Sequence, residues 1–380
     1  MGRSSARERA RAPIGSAWLF LPSFTGGGAE RATLHLASAL VDLGVDARVI
    51  VPTTEGPLLG FAEERLGCNR IVDLGSRRVR YSVPALARHL RREEPDVLIA
   101  VPDDTAFFAE LARVAAGAGH TRLMSVIQNT LTRQTRELGP KRWLVAPAIR
   151  WVLGRTDVVV CVSEGVRDDL VASVHPRVEP VVIPNPVDVE RVREASRAPV
   201  SHPWLSGRGS TIVAAGRLTA QKGFDLLLQA FRLLADRNKA ARLLILGEGE
   251  LRRDLEALVV ELGLRDLVEL PGFARNPWAY MARAAAYVMS SRFEGMPLAL
   301  VEALACGAPV VSTDCPSGPA EILEHGRLGI LVPPSDAEAL AAGLERTLDD
   351  PPPPVDLGYL AARYAPERVA RQFLEALGSC

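Results

Sequence analysis

The sequence predicts an α/β protein built from two Rossmann-like, doubly wound domains. Its 380 residues suit two domains, each large enough to bury its own core. Short apolar runs without polar alternation recur between helical segments, the pattern of a parallel sheet covered on both faces. Between Val189 and Gly209 the periodicity is lost and the chain reads as polar and irregular, which places a domain boundary. The expected domains are therefore 1–195 and 205–350.

In the first domain Ala17–Leu21 is the first expected strand. Gly26, Gly27 and Gly28 follow, then a helix over Glu30–Leu43 with Leu34, Ala37, Leu40 and Val41 on one face. Strand, glycine loop and helix form a layout that lets a phosphate or sugar approach the backbone. The loop lacks both the GxGxxG spacing and a P-loop lysine, so taken alone it fits a plain tight turn equally well. Further strands are expected at Ala47–Val51, Asp96–Val101, Leu123–Ile127, Val158–Val162 and Val181–Ile183. Helices are expected at Pro84–Arg92, Ala106–Ala116 and Glu164–Ala172, the last capped by Ser163. Gln128 and Asn129 stand at the C-terminal end of a strand, the edge where open α/β sheets bind ligands. The competing reading of Asn129 is a loop residue bonding its own backbone.

Thr132–Gly154 is basic, with Arg133, Arg136, Lys141, Arg142 and Arg150 alongside Trp143 and Trp151. Such a helix can lie on an anionic membrane surface. It can equally cover the sheet with its arginines in water, and the interruption at Pro147 favours that plainer reading. Pro184-Asn185-Pro186-Val187-Asp188 then closes the domain as a rigid extended segment.

The second domain opens with a strand at Thr211–Ala215 and the loop Gly216-Arg217-Leu218-Thr219-Ala220-Gln221-Lys222-Gly223, which leads into a helix over Phe224–Leu234. Arg217 and Lys222 lie at a strand's C-terminal end, where two converging cations would neutralise a diphosphate. Only three of the 45 basic residues are lysines, which draws attention to Lys222. The alternative is a pair of solvated surface cations. Strands at Leu243–Leu246, Val268–Leu270 and Ala285–Ser290 alternate with helices at Leu251–Leu262 and Asn276–Arg283. Gly272 permits a ligand to approach the backbone at Phe273.

Residues 290–318 are the pivot of the chain. Glu294-Gly295 is a turn, and Pro297 suits the first position of a helix whose Leu298, Val301, Leu304 and Ala305 repeat at helical spacing. Gly307 ends the helix and Val310-Val311 begins another strand. A helix starting just beyond a strand aims its N–H groups and positive dipole end at the ligand edge, a ready site for a diphosphate. Glu302 follows Glu294 by eight positions, ~12 Å of rise even if all were helix. That is too far for the ~5 Å carboxylate pair of a retaining glycosidase. The two glutamates read as separate hydrogen-bonding posts, and a lone solvated helix residue is the alternative for Glu302. After Pro351–Pro354, Leu360–Leu377 reads as one terminal helix with Leu360, Ala361, Tyr364, Val369, Phe373 and Leu377 on a shared face.

Composition narrows the function classes. Net charge is zero, so no nucleic acid or other acidic polymer is expected as a partner. The five cysteines have no metal spacing and no even framework, which points to a reducing cytoplasm. No run approaches the ~18 apolar residues of a membrane span. Basic Arg3–Arg11 followed by Ile14–Leu21 mimics a signal peptide without its cleavage site, and Gly2 lacks the Ser or Thr that myristoylation requires.

FEGMPLALVEALACGAPVV, CPSGPAEIL, GILVPPSD and GRLTAQKGFDLLLQAF together resemble the donor-site signature of family-4 glycosyltransferases of the GT-B fold. About fifty ordered positions carry the likeness. The resemblance implies two Rossmann-like domains facing across a cleft, with a C-terminal helix at 358–380 packing back on the first. It implies a retaining transfer from a nucleotide-diphosphate sugar, without a metal or other cofactor. UDP-sugar is the favoured donor, with GDP-sugar open. A glycan or lipid-linked acceptor of cell-surface polysaccharide is expected at the cytoplasmic face of the inner membrane, where a peripheral contact would serve.

By the same resemblance Arg217, Lys222 and Glu294 are the catalytic candidates, the two cations at the leaving diphosphate and Glu294 at the sugar. Gly27, Gly28, Gly216, Phe273, Gly295, Met296, Pro297, Leu298 and Glu302 are the donor-binding candidates, Glu302 at the ribose and the Met296–Leu298 amides at the diphosphate. Gln128 and Asn129 are acceptor-side candidates, and Gln128 replaces the His that many relatives carry, which removes an imidazole from that position. A phosphorylase would need a cofactor lysine, for which Lys239 is poorly placed. The remaining alternatives are an epimerase, or a sugar-binding protein that would keep its function without Arg217 and Lys222.

Overall fold

Trp18, Leu19 and Phe20 are buried on both faces of their strand, as an unalternating apolar run requires. They belong to β1 (Ser16–Phe20), the centre of the first sheet in a computed structural model that describes residues 14–101, 103–132, 142–206 and 210–378. The chain divides into two units, Met1–Val187 with Tyr364–Cys380, and Asp188–Arg363.

The first unit runs α1 (Gly28–Asp42), β2 (Asp46–Val51), α2 (Leu59–Leu66), β3 (Ile71–Asp73), α3 (Val79–Glu93), β4 (Val97–Ala100), α4 (Asp103–Ala116) and β5 (Arg122–Ile127). It continues through α5 (Arg142–Leu153), β6 (Val158–Cys161), α6 (Glu164–Val174) and β7 (Val181–Val182). All strands pair in parallel in the order β3-β2-β1-β4-β5-β6-β7. The order reverses between β1 and β4, which puts the topological switch beside the glycine loop after β1.

Three features of this unit depart from the expected elements. Helix α2 and strand β3 fill the stretch that reads as a polar loop, because only Ala62 and Leu66 of α2 are buried and the periodic signal is thin. Helix α3 starts at Val79, so Pro84 lies inside it. Pro84 is exposed, and the hydrogen bond it removes is lost on the solvent side. Pro147 sits within α5 in the same way. Near the end of α5, Trp151 meets Phe107 edge-on at 5.6 Å and carries the Arg155 guanidinium over its ring at 4.7 Å. That end of the basic stretch packs against α4. Arg133, Arg136, Lys141 and the side chains of Arg142 and Trp143 lie outside the described residues.

Ser163 caps α6, its hydroxyl accepting from Val166 N at 3.3 Å. Ser163→Ala should cost about 1 kcal/mol. It should lower the urea midpoint of this unit without changing the slope of its unfolding transition.

The second unit begins with α7 (Val189–Ala195) and a 3₁₀ turn at Pro203–Leu205, where the sequence reads as irregular. The seven-residue α7 is too short for a clear period, and its signal is the cap: the Asp188 carboxylate accepts from Arg191 N at 3.1 Å. Then come β8 (Thr211–Ala215), α8 (Phe224–Arg237), β9 (Arg242–Leu246), α9 (Arg252–Glu261), β10 (Val268–Gly272), α10 (Pro277–Met281), β11 (Ala286–Met289), α11 (Leu298–Ala305) and β12 (Val310–Thr313). Sequence periodicity assigns nothing to residues 319–350, yet α12 (Pro319–Ile322), β13 (Ile330–Val332) and α13 (Ala337–Asp349) form there, before α14 (Leu357–Tyr364). The parallel order is β10-β9-β8-β11-β12-β13. Leu227, Phe231 and Leu234 of α8 pack with Ile212, Ile245, Val288, Leu340 and Leu344 in one core.

The expected single terminal helix is two, because Pro366 cannot continue α14 and instead opens α15 (Pro366–Gly378). Val369, Phe373 and Leu377 of α15 are buried in the first unit, where α15 lies along α1. Arg122 donates to the Leu377 carbonyl at 2.5 Å, and Val187 N to the Tyr364 carbonyl at 2.8 Å.

Candidate functional site

The switch point of the second sheet lies between β8 and β11, which pair directly. Open α/β sheets bind ligands outside the carboxyl ends of strands at such a point. Two loops leave the sheet there, Gly216–Gly223 after β8 and Ser290–Pro297 after β11.

The loops touch closely. Gly223 has φ +62, and a Cβ there would stand 2.2 Å from the Ser290 carbonyl oxygen. Only glycine satisfies both the left-handed backbone and the approach. Its neighbour Lys222 ends a 3₁₀ turn, and its side-chain methylenes lie 3.4 Å from where a Gly216 Cβ would be. From that seat Lys222 Nζ donates to Glu294 Oε1 at 2.5 Å, across 72 positions of sequence. Ser291, buried beside them, donates its hydroxyl to the same Oε1 at 2.7 Å. Glu294 is only 6% exposed, so its charge is held by a cation and a hydroxyl rather than by water.

Helix α11 starts one residue later than its sequence suggests. Pro297 is the N-cap, with φ −74 and ψ 94, and Leu298 is the first helical residue. Pro297 offers no side-chain cap to the first turn. The Glu294–Pro297 loop is backed by the turn after β12: Glu294 N donates to the Pro316 carbonyl at 3.3 Å. Gly318, φ +94, lies so close that a Cβ would fall 2.5 Å from Pro297 Cδ and 2.9 Å from the Gly295 carbonyl oxygen. The CPSG turn is therefore a shaped support for the EGMP turn.

Glu302 is half-buried on α11. Burial, reinforced by the carboxylates of Glu302 and Glu294, pushes the Tyr287 phenol well above its ordinary range. Tyr287 donates to the Ala215 carbonyl at 3.3 Å, so both glutamates act on one buried group at the junction of β8 and β11. Burial and then Glu302 push the Cys306 thiol up to about 12, against the opposing charge of Arg193, which leaves it an inert packing group.

Lys222, Glu294, Gly216, Gly295, Met296, Pro297 and Leu298 thus gather at one edge of the second unit. Arg217 is exposed on the same loop. Phe273 stands at the end of β10, 66% exposed. Gly27 and Gly28 belong to the first unit: Gly27 is the N-cap of α1, and the Glu30 carboxylate folds to within 2.2 Å of where a Gly27 Cβ would be. Gln128 is buried, and its amide exchanges two hydrogen bonds with Asn185 at 3.0 and 2.7 Å. It ties β5 to the Pro184–Pro186 segment, and sequence gives no hint of this pairing. Asn129 beside it is half-buried. Sequence reasoning also missed Ser291, which meets Glu294 within its own loop, and the pair Asp225 and Arg292, which meet across 67 positions. Among the described residues no cluster of His, Cys, Asp or Glu is arranged to hold a metal, and no helix is long and apolar enough to cross a membrane.

Comparison with known proteins agrees with this geometry. A family model described as "Glycosyl transferases group 1" matches residues 205–364, and one described as "Glycosyltransferase Family 4" matches residues 26–191. The chain belongs to the family-4 glycosyltransferases. This glycosyltransferase is 28% identical to the lipopolysaccharide core biosynthesis glycosyltransferase LpsE of Rhizobium meliloti, over 85% of the chain and 86% of LpsE. It is 34% identical to a Campylobacter jejuni N-acetylgalactosaminyltransferase acting on a diphospho-undecaprenol-linked sugar, over 52% of each chain. A match to an uncharacterized glycosyltransferase of Methanocaldococcus jannaschii, 33% identical, covers 41% of the chain and 42% of that protein. The glycosyltransferase thus spans about half the length, or less, of these last two relatives. Among solved structures, HepE of Anabaena in complex with UDP-glucose superposes with a TM-score of 0.79 at 18% identity, over 96% of this chain and 100% of HepE. The fold of the glycosyltransferase is GT-B.

Proposed function

We propose that the second unit binds a UDP-sugar and that the protein transfers the sugar to a glycan or lipid-linked acceptor, with retention of anomeric configuration. The observation that carries this is the meeting of Lys222 with Glu294 at the sheet's switch point, in front of α11. In this reading the diphosphate takes Lys222 from Glu294, and the freed carboxylate takes a sugar hydroxyl. Arg217, exposed on the same loop, and the first-turn N–H groups of α11 complete the anion site. Glu302 receives the ribose, the Phe273 backbone faces the base, and Asn129 with the Gly27-Gly28 loop serves the first unit's side of the reaction.

The bond from the anomeric carbon to the diphosphate oxygen breaks as the acceptor oxygen bonds to that carbon. The departing UDP gains negative charge, and its diphosphate oxygen takes the proton that the acceptor hydroxyl gives up. Fixed cations and N–H dipoles stabilise the growing charge more than the ground state, which is where they speed the reaction. UDP is favoured because HepE is solved with UDP and UDP-glucose. Surface polysaccharide is favoured by the names of LpsE and of the colanic acid relatives from Salmonella and Escherichia coli.

Calorimetric titration with UDP and GDP, followed by NMR of the transferred anomer from a panel of UDP-sugars, tests the reading. The expected result is saturable binding of UDP above GDP and an unchanged anomer. Equal, weak binding of both nucleotides would sink the donor assignment, and an inverted anomer the stereochemical one.

A further inference from the structure

Once a diphosphate has taken Lys222 from Glu294, that contact no longer holds the two loops together. Another set of bonds does. Arg292 grips Asp225 with both ends of its guanidinium, Nη1 to Oδ1 at 2.9 Å and Nη2 to Oδ2 at 2.6 Å. The same Nη1 donates to the Ala220 carbonyl at 2.7 Å. The Arg292 backbone N–H donates to the Gln221 carbonyl at 2.8 Å, and the Gln221 side chain donates back to the Phe293 carbonyl at 3.0 Å. The Ser290 hydroxyl donates to the carbonyl of Lys222 itself at 2.9 Å. Partners therefore lie on both sides of Lys222, at Ala220, Gln221 and Asp225, and their counterparts Arg292 and Phe293 stand within two positions of Glu294.

We infer that Arg292 and Asp225 are positioning residues that hold Lys222 and Glu294 in register while the donor separates them. The inference rests on the donor-site reading given above. Lysine is a flexible stem, and its value to a diphosphate depends on where its backbone is fixed. A planar bidentate pair fixes orientation as well as distance, which a single-point contact does not. The pair also lets one side chain reach a carbonyl of the turn that carries the lysine. The guanidinium holds the Asp225 carboxyl below its ordinary value, so the brace stays charged across the neutral range. Arg292→Lys keeps the charge but loses the fork.

The test is a double-mutant cycle on UDP affinity, measured by calorimetry on the full chain. Arg292→Ala and Asp225→Asn should each weaken UDP about tenfold, and Arg292→Lys by less, with thermal melts confirming that each variant is folded. The decisive reading is Arg292→Ala combined with Lys222→Ala. If the brace acts through Lys222, the double variant binds UDP no more weakly than Lys222→Ala alone. Losses that multiply, or an Arg292→Ala variant with wild-type affinity, overturn the inference while leaving the donor site intact. A Lys222→Ala variant with wild-type UDP affinity removes the donor-site reading itself, and the brace with it.

Discussion

Lys222→Ala should lower sugar transfer from the preferred UDP-sugar about 100- to 1,000-fold, the cost of removing one group that meets charge developing on a leaving group. The loss should appear in kcat as well as in kcat/KM, because the interaction grows as the bond breaks. The same change has a second consequence in the resting protein. Glu294 is nearly buried and shares one oxygen between Lys222 and Ser291. Without the lysine it keeps a single hydroxyl for a full charge, which should destabilise the second unit by about 1–3 kcal/mol. Arg217→Ala supplies the contrast. Its side chain is exposed, so stability should stay within about 0.5 kcal/mol of wild type while transfer falls. Steady-state kinetics and urea melts on the two variants check both halves. A Lys222→Ala enzyme with wild-type turnover would remove the lysine from the mechanism.

Gly223→Val should be the most damaging small substitution at the site. A Cβ there stands 2.2 Å from the Ser290 carbonyl oxygen, and the position has φ +62. The obstacle is backbone of β11's exit, so no rotamer change relieves it. A β-branched residue adds strain in a left-handed conformation it rarely adopts. The expected cost is about 3–5 kcal/mol, the range reserved for steric conflict at a special backbone position. If the variant folds, the two loops must part, so Lys222 leaves Glu294 and UDP affinity falls with stability. A melt within about 1 kcal/mol of wild type would mean that the loops separate easily and that the contact does not set their geometry.

Much of this molecule can be read without coordinates. The parallel sheets follow from runs such as Trp18–Leu21 and Leu243–Leu246, which are buried on both faces and leave no polar alternation to suggest anything else. Short or weakly periodic elements escaped, among them α2, α7 and β13, because a few buried positions cannot mark a period. Proline misled in both directions. Pro84 marks a helix start in sequence and lies inside a helix in space, while Pro366 divides what periodicity alone would join.

The candidate site divides along the same line. Residue type and local spacing determined which loops could bind a diphosphate: a lysine in an arginine-rich chain, two glutamates eight apart, glycines at strand ends. Local spacing could not decide who meets whom. That Lys222 reaches Glu294, that Arg292 grips Asp225 and that Gln128 pairs with Asn185 depends on which strands lie side by side, and pairings over 57 to 72 positions leave no trace in a window of a dozen residues. Sequence chose the chemical groups; the parallel pairing of β8 with β11, fixed by burial of both strands, chose their partners.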